Sequence, residues 1–273
     1  MAALPLRPQV FAILSALIEE RSGLHYDLAD IDMIADKIST RAIEAGFDSL
    51  LDYYYYLRYD DASQAELDAL LDVLVVNETY FFREFDTLKR IVSDFIEPLV
   101  RSGARPRVWC AACSTGEEPT TLAMLLADLA ILDQVEIVAS DISTRALARA
   151  QSGEFGPRSL RQIPPGGIDA RWIDRSEGRI RVRSELKDAI QWRRLNLLDE
   201  RAIAAMGPFD VVVCRNVLIY FSDETAKRVL QSLTTALRER GALFVGVSES
   251  LLRFGTSLEC EERGGVFLYR KER

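Results

Sequence analysis

Apolar side chains recur at intervals of three and four through the first 76 positions of the chain. Phe11, Leu14, Leu17 and Ile18 share one helical face, and Gly23 follows as a stop. Ile31, Ile34, Ile38 and Ala42 repeat the pattern before Gly46. Ser49 is placed to cap a third helix bearing the tyrosine run 53–56, and Leu67, Leu70, Leu71 and Leu74 make a fourth stripe. Such stripes are the core faces of amphipathic helices. No strand pattern interrupts them, so an all-α domain over 1–76 is expected.

From about position 105 the rhythm changes. Short apolar runs over 107–111, 135–140, 190–194, 209–214 and 242–247 alternate with helical patterns over 117–131, 143–151 and 223–240. Strands alternating with helices predict βαβ units and a parallel sheet. The last two runs, 258–261 and 266–270, flank Arg263-Gly264-Gly265, which predicts a hairpin and hence an antiparallel sheet edge. Between 153 and 188 the chain is rich in Gly, Pro and Arg, with one alternating run over 179–183, and reads as an insertion or small subdomain.

The composition, 48% hydrophobic and 28% charged over 273 residues, supports a real core and excludes a disordered tail. A formal charge of −8 disfavours a grip on phosphate backbones, so no nucleic-acid partner is expected. That charge is uneven, with −9 on the first 76 positions and +1 on the remainder. No apolar run approaches the roughly 18 residues that span a bilayer, and the start lacks the basic and apolar regions of a secretory signal. The four cysteines, Cys110, Cys113, Cys214 and Cys260, fit a reducing compartment. A cytoplasmic protein without membrane insertion is expected, with a monomer as the default.

Candidate chemistry sits where the predicted strands end. The first runs into Cys110-Ala111-Ala112-Cys113-Ser114-Thr115-Gly116-Glu117-Glu118-Pro119, a small-residue loop that allows close backbone approach to a ligand. It is neither the G-x-G-x-x-G fingerprint nor a lysine-bearing phosphate loop. Its carboxylates suit a cationic ligand; they equally suit the first turn of a helix, where acids favour the dipole. The second strand ends at Asp141, which can accept both hydroxyls of a ribose or cap the next helix. Ribose plus positive charge without phosphate describes S-adenosylmethionine better than NAD or ATP. The Cys110-x-x-Cys113 pair lacks partners for a zinc set, because the only histidine is His25, so packing is the preferred reading and no metal is expected. Asn77-Glu78-Thr79 matches a glycosylation sequon by coincidence.

Five motifs then stand in order: Asn77-Glu78-Thr79-Tyr80-Phe81-Phe82-Arg83, the loop 112–119, Ala139-Ser140-Asp141-Ile142, Asn196-Leu197-Leu198, and Cys214-Arg215-Asn216-Val217-Leu218-Ile219-Tyr220-Phe221. Together they resemble the chemotaxis-receptor glutamate O-methyltransferases over nearly the whole chain. The resemblance implies a seven-stranded class I S-adenosylmethionine methyltransferase sheet with a small β-subdomain insertion, preceded by an all-α domain. The implied boundaries are 1–76 for the helical domain, 77–104 for a linker helix region contributing to the cofactor site, and 105–273 for the methyltransferase domain, with 153–188 as the insertion. The implied activity moves a methyl group from S-adenosylmethionine to glutamates on chemoreceptor cytoplasmic helices, leaving S-adenosylhomocysteine.

By motif, Asn77, Thr79 and Arg83 would cover the cofactor from the linker. Glu118 would bind its methionine amino group, Asp141 its ribose, and Asn196 and Leu197 would flank the adenine. Arg215, Asn216 and Tyr220 would line the methyl-transfer pocket, with Arg83 and Tyr220 in the catalytic roles of orienting and placing the acceptor. Phe81 and Phe82 read as hydrophobic packing of a linker helix. Two other readings keep the fold: a different carboxylate acceptor, or a non-catalytic S-adenosylmethionine-binding adaptor. The family's receptor-facing basic helix is weak here, since 30–46 sets Lys37 and Arg41 against Asp30, Asp32, Asp36 and Glu44. The stretch 173–178 is short for a loop that grips a receptor C-terminal peptide, so no such tether is expected. Arg158, Arg161, Arg171, Arg175, Arg179, Arg181 and Arg183 form a candidate basic patch for an acidic receptor segment, or a solvated face balancing local acids.

Overall fold

The computed structural model describes residues 3–60, 64–164, 166–176 and 178–272. Its contacts divide into two units, one formed by the first 76 positions with Tyr220–Thr225, the other by Asn77–Ile219 with Ala226–Arg273.

In the first unit the stripes become helices α1 (Pro8–Ser22), α2 (Ile31–Glu44), α3 (Leu50–Tyr59) and α4 (Gln64–Leu74). Pro8 opens α1 where a missing N–H costs nothing, and Gly23 closes it at φ 82°, donating to the Glu19 carbonyl. The Ser49 hydroxyl caps α3 by accepting from the Asp52 N–H at 3.3 Å. Phe11, Leu14, Ile18, Ile34, Ile38, Leu57 and Leu70 are all buried where these helices meet. One polar cluster fixes α2, α3 and α4 together: Glu66 accepts from Arg41 Nε and Nη2, each at 2.7 Å, and from the Tyr53 hydroxyl at 2.6 Å. Burial pushes the Tyr53 phenol well above its usual range. Arg41, one of two basic residues in the 30–46 stretch, is therefore committed to an internal ion pair. The later segment joins this unit by backbone: Leu24 bridges Phe221, and the His25 N–H donates to the Tyr220 carbonyl at 2.9 Å.

The second unit begins with α5 (Phe85–Ile91), a π-turn over Val92–Ile96, and α6 (Glu97–Arg101). There follow β1 (Arg107–Ala111), α7 (Glu117–Asp128), β2 (Glu136–Asp141), α8 (Thr144–Ser152), β3 (Glu154–Phe155), α9 (Ile168–Trp172), β4 (Ile173–Ser176), β5 (Arg179–Val182) and α10 (Ser184–Asp188). The chain continues as β6 (Ile190–Arg194), α11 (Glu200–Ala205), β7 (Phe209–Cys214), α12 (Asp223–Ala236), β8 (Leu237–Phe244), β9 (Glu259–Arg263) and β10 (Val266–Arg270).

Seven strands form one sheet in the order β6-β2-β1-β7-β8-β10-β9. The first five run parallel, and β10 and β9 are antiparallel at the edge. Arg263 pairs with Val266 across Gly264 and Gly265, at φ 56° and 81°, the left-handed pair that a two-residue hairpin requires. A separate three-stranded antiparallel sheet, β3-β5-β4, is the small subdomain. The expected α/β class with a β-insertion after an all-α region is what forms.

Three local expectations are corrected. The strand expected over 242–247 is Leu237–Phe244: its start is hidden in the polar, exposed run 238–240, and the pairing shifts register between Phe209 and Val211. It ends early because the Gly246 N–H turns to the Glu249 carboxylate instead of continuing a ladder. The helix expected to reach 131 stops at Asp128, with Ala130 left-handed at φ 55°. Phe81 and Phe82 are fully buried as expected, but in a turn and not a helix; Phe82 sits at φ 65° and the helix starts at Phe85.

Candidate active site

Strand register sets the site. Ala111 lies beside Ser140 on one side and Cys214 on the other, Asp141 beside Arg194, and Val213 beside Phe244. The parallel strands thus end level, and their following loops converge where open α/β sheets bind ligands.

The loop after β1 is held in an unusual shape. Ala112, Ser114 and Gly116 take φ of 52°, 51° and 88°, so three left-handed residues bend the chain between the carboxyl end of β1 and α7. A Cβ on Gly116 would stand 2.6 Å from the Ala150 Cβ and 2.9 Å from the Trp192 ring, so no other residue fits without moving α8 or β6. Gly116→Ala is expected to cost about 1–3 kcal/mol by overpacking, checked by chemical denaturation, and to weaken cofactor binding through the displaced loop. Asp141 fastens the same loop: one carboxylate oxygen accepts from the Ser114 N–H at 2.7 Å, the other from the Ser143 N–H at 2.9 Å. Ser143, not Asp141, caps α8, accepting from the Ala146 N–H at 3.0 Å.

Glu117 and Glu118 open α7, so both stand in the first helical turn, where acids favour the dipole. Glu117 is buried and accepts from Thr115 Oγ1 at 2.6 Å; its burial pushes the carboxyl above the usual range. Glu118 accepts from Arg215 Nη1 at 2.6 Å, and Arg215 Nη2 lies 2.8 Å from Glu84. Burial raises the Glu118 carboxyl above its ordinary value, with Arg215 pulling the other way. The Arg215 side chain is 1% exposed and also reaches the Arg83 carbonyl at 3.2 Å. One guanidinium therefore ties the end of β7 to α7 and to the turn before α5.

The linker residues meet this loop directly. Ser114 Oγ donates to the Asn77 side-chain oxygen at 2.9 Å, and the Phe82 N–H donates to Thr121 on α7. Arg83 Nη1 donates to the Glu78 carbonyl at 2.9 Å with its guanidinium near the Tyr80 ring. Thr79 is half-buried in the same stretch. Beyond β6, Asn196 is half-buried with its side-chain oxygen accepting from the Leu198 N–H, and Leu197 is buried. Asn216 follows β7 at φ 59°. The second unit thus gathers Asn77, Glu118, Asp141, Asn196, Leu197, Arg215 and Asn216 at or beside its strand ends. Tyr220, five residues beyond Arg215, groups with the first unit, where its carbonyl accepts from His25.

Sequence reading missed Glu84 and Glu249. Glu84 carries no spacing signal and is left-handed at φ 48°. Glu249 accepts four backbone N–H bonds, from Asn216, Val217, Leu218 and Gly246. A carboxylate just past a strand end was the one available signal for it.

Cys110, Cys113 and Cys214 are free and buried, and burial pushes each thiol well above its usual value, so they pack and do not react. Among the described residues no three His, Cys, Asp or Glu side chains are grouped to hold a metal ion. The donor set fits S-adenosylmethionine: carboxylates at adjacent strand ends for an ammonium group and a ribose, and a buried Arg215 Nε without a hydrogen-bond partner among the described residues, able to serve a ligand carboxylate.

Most arginines of the subdomain are paired with acids, some of them outside it. Arg161 pairs with Glu78, Arg171 with Asp128 and Arg175 with Asp169, while Arg179 and Arg181 share Glu154. Arg183 lies over the Trp172 ring. The strands β4 and β5 pair through Ser176 and Arg179, leaving a two-residue connection; Glu177 in it lies outside the described residues.

Residues 77–263 match the family model described as the CheR methyltransferase SAM binding domain, and residues 9–75 the CheR methyltransferase all-alpha domain. The chain is 33% identical over 242 residues to chemotaxis protein methyltransferase 2 of Vibrio cholerae, covering 87% of this chain and 84% of that one. It is 34% identical over 247 residues to the Escherichia coli K12 chemotaxis protein methyltransferase, covering 88% and 84%. A probable biofilm formation methyltransferase of Pseudomonas aeruginosa, WspC, is 33% identical over 243 residues, 86% of this chain and 56% of that longer one.

Proposed function

We infer, from a chain that belongs to the CheR methyltransferase family, that it transfers a methyl group to glutamate side chains of chemoreceptor cytoplasmic helices. Its products are glutamate methyl esters and S-adenosylhomocysteine. The methyltransferase domain and its S-adenosylmethionine cofactor come with the family; the acceptor is the inference. The observation that carries it is the sparse polar set at the strand ends, rich in carboxylates and positioning donors and with its buried thiols out of play.

That sparseness suits a carboxylate acceptor. A glutamate has an ordinary pKa of about 4.3, so at neutral pH it attacks without a general base. When bound, the cofactor supplies the electrophilic methyl group. The residues of this chain hold and align: Glu118 takes the ammonium group, Asp141 the ribose, and Asn196 and Leu197 the adenine. Asn77, Thr79 and Arg83 cover the site from 77–104, a role that the Ser114–Asn77 contact supports. Arg215 and Asn216 line the transfer pocket, Arg83 orients the acceptor carboxylate, and Tyr220 places it. Positioning of this kind contributes on the order of 7–11 kcal/mol to a two-substrate reaction.

We assign 1–76 as the helical domain and 105–273, with its 153–188 insertion, as the methyltransferase domain. The protein acts in the cytoplasm as a monomer, without a receptor-peptide tether and without nucleic acid. The short β4–β5 connection supports the absence of the tether. No helix among the described residues is long and apolar enough to cross a membrane. Peptide mapping by mass spectrometry, after incubation with S-adenosylmethionine and receptor cytoplasmic fragments, tests the reading: the added methyl must sit on glutamates, and a methyl on any other residue type overturns it.

A further inference from the structure

The loop that follows β7 contains an anion nest, and the chain fills it with its own carboxylate. Asn216 is left-handed at φ 59°, and the N–H groups of Asn216, Val217 and Leu218 point to one place. Successive N–H groups in such a turn form a concavity that binds anions. Glu249 occupies it: Oε2 accepts from Asn216 at 2.6 Å and Oε1 from Val217 and Leu218 at 2.9 and 2.8 Å. Oε2 also accepts from the Gly246 N–H at 2.8 Å, so the one carboxylate joins the loops after β7 and β8. Glu249 is 8% exposed.

The fit around it is tight. A Cβ on Gly246 would lie 2.6 Å from the Asn216 amide nitrogen and 2.9 Å from Glu249 Oε2, so this position is kept bare for the two side chains to meet over it. Neither spacing nor periodicity requires an acid at position 249, and a helix cap would take one N–H, not four. A charged acceptor bonded to four backbone donors, two of them buried and two part-buried, pins a backbone more firmly than neutral partners do.

We propose that Glu249 is a positioning residue for the cofactor and transfer pocket, acting through the backbone of Asn216–Leu218 to fix where Arg215 and Asn216 stand. This rests on the assignment of Arg215 and Asn216 to that pocket. The left-handed turn costs energy in a residue other than glycine, and the carboxylate is what holds it. A shift of about 1 Å in a positioning element is enough to cost 10²-fold in rate.

Glu249→Gln tests this in the full chain. The amide keeps the size but turns donors toward part of the nest. Calorimetry with S-adenosylhomocysteine is expected to show affinity about tenfold weaker than the native chain, and amide exchange is expected to accelerate at 216, 217, 218 and 246. A control chosen for a similar loss of Tm, Val266→Ala on the edge hairpin, is expected to bind as the native chain does. In an Asn216→Ala background, which keeps the backbone N–H groups and Arg215, Glu249→Gln is expected to add less than its full effect, because part of that effect runs through the Asn216 side chain. Native affinity in Glu249→Gln, equal weakening in the Val266→Ala control, or full additivity with Asn216→Ala would each overturn the proposal. Should Glu249→Gln fail to fold, Glu249→Asp, which keeps the charge but shortens its reach, is read the same way. The readout uses cofactor binding alone, so a native chain that binds S-adenosylhomocysteine yet esterifies no receptor would sink the glutamate assignment and leave this test standing.

Discussion

Arg215→Ala lowers the stability of the chain by about 3–5 kcal/mol, the range for removing one partner of a buried ion pair. The native guanidinium is 1% exposed between Glu118 and Glu84, and alanine leaves two carboxylates in a space built for their cation. The loss depends on pH in a defined direction. Burial already raises Glu118 above 4.5 with Arg215 beside it, and without the guanidinium that rise grows. The folded variant then holds a proton that the unfolded chain releases, so its stability is largest below the unfolded value and falls as pH climbs through the folded one. Urea melts are therefore expected to show a smaller deficit near pH 5 than near pH 8. Adding Glu84→Gln recovers part of the loss by removing one stranded charge. A deficit below about 1 kcal/mol, or one that grows toward acid, contradicts the buried-clamp account.

Asp141→Ala weakens S-adenosylhomocysteine binding by at least about 100-fold. Two effects combine. On the proposed assignment the ribose hydroxyls lose a carboxylate acceptor, and hydrogen bonds to charged groups contribute about 1.5–3 kcal/mol each. The loop after β1 also loses its fastening, since the Ser114 and Ser143 N–H groups both donate to this carboxylate. At about 1.4 kcal/mol per tenfold, two lost bonds reach the stated factor. Asp141→Asn separates the effects: the amide still offers one acceptor to a hydroxyl but presents donors to one backbone N–H. It is expected to bind more tightly than the alanine variant while unfolding at lower denaturant than the native chain. Equal binding by native and Asp141→Ala chains removes Asp141 from the cofactor site.

Legibility in the sequence followed the range of the interactions. The four N-terminal helices were readable because each buries a continuous stripe, and the Gly23 and Ser49 ends carry local chemistry. The sheet was readable as apolar runs, and the Gly264-Gly265 turn forecast its antiparallel edge. The start of β8 was not readable, because its polar residues face outward around a register shift. At the site, Glu118 and Asp141 were visible as acids at strand ends. The sequence shows Arg215 as one residue in a motif and not as a bridge, since its partner Glu84 lies 131 positions earlier in a turn that no periodicity predicts. Glu249 was invisible for the same reason: it stabilises a turn 33 residues before it. The charge division raised the question of which surface meets an acidic receptor. The structure narrows it, because Arg41 and most of the subdomain arginines are already paired with local acids.

The claim at the centre is that this active site esterifies a carboxylate. Methyl-labelled S-adenosylmethionine, the native chain and receptor cytoplasmic fragments together provide the direct test, with the labelled fragment then exposed to mild base. The account predicts label on the fragment that base releases as methanol, as a glutamate methyl ester requires. Label that survives base would mean nitrogen or carbon methylation, and an unlabelled fragment beside a chain that binds the cofactor would mean an adaptor; either result contradicts it.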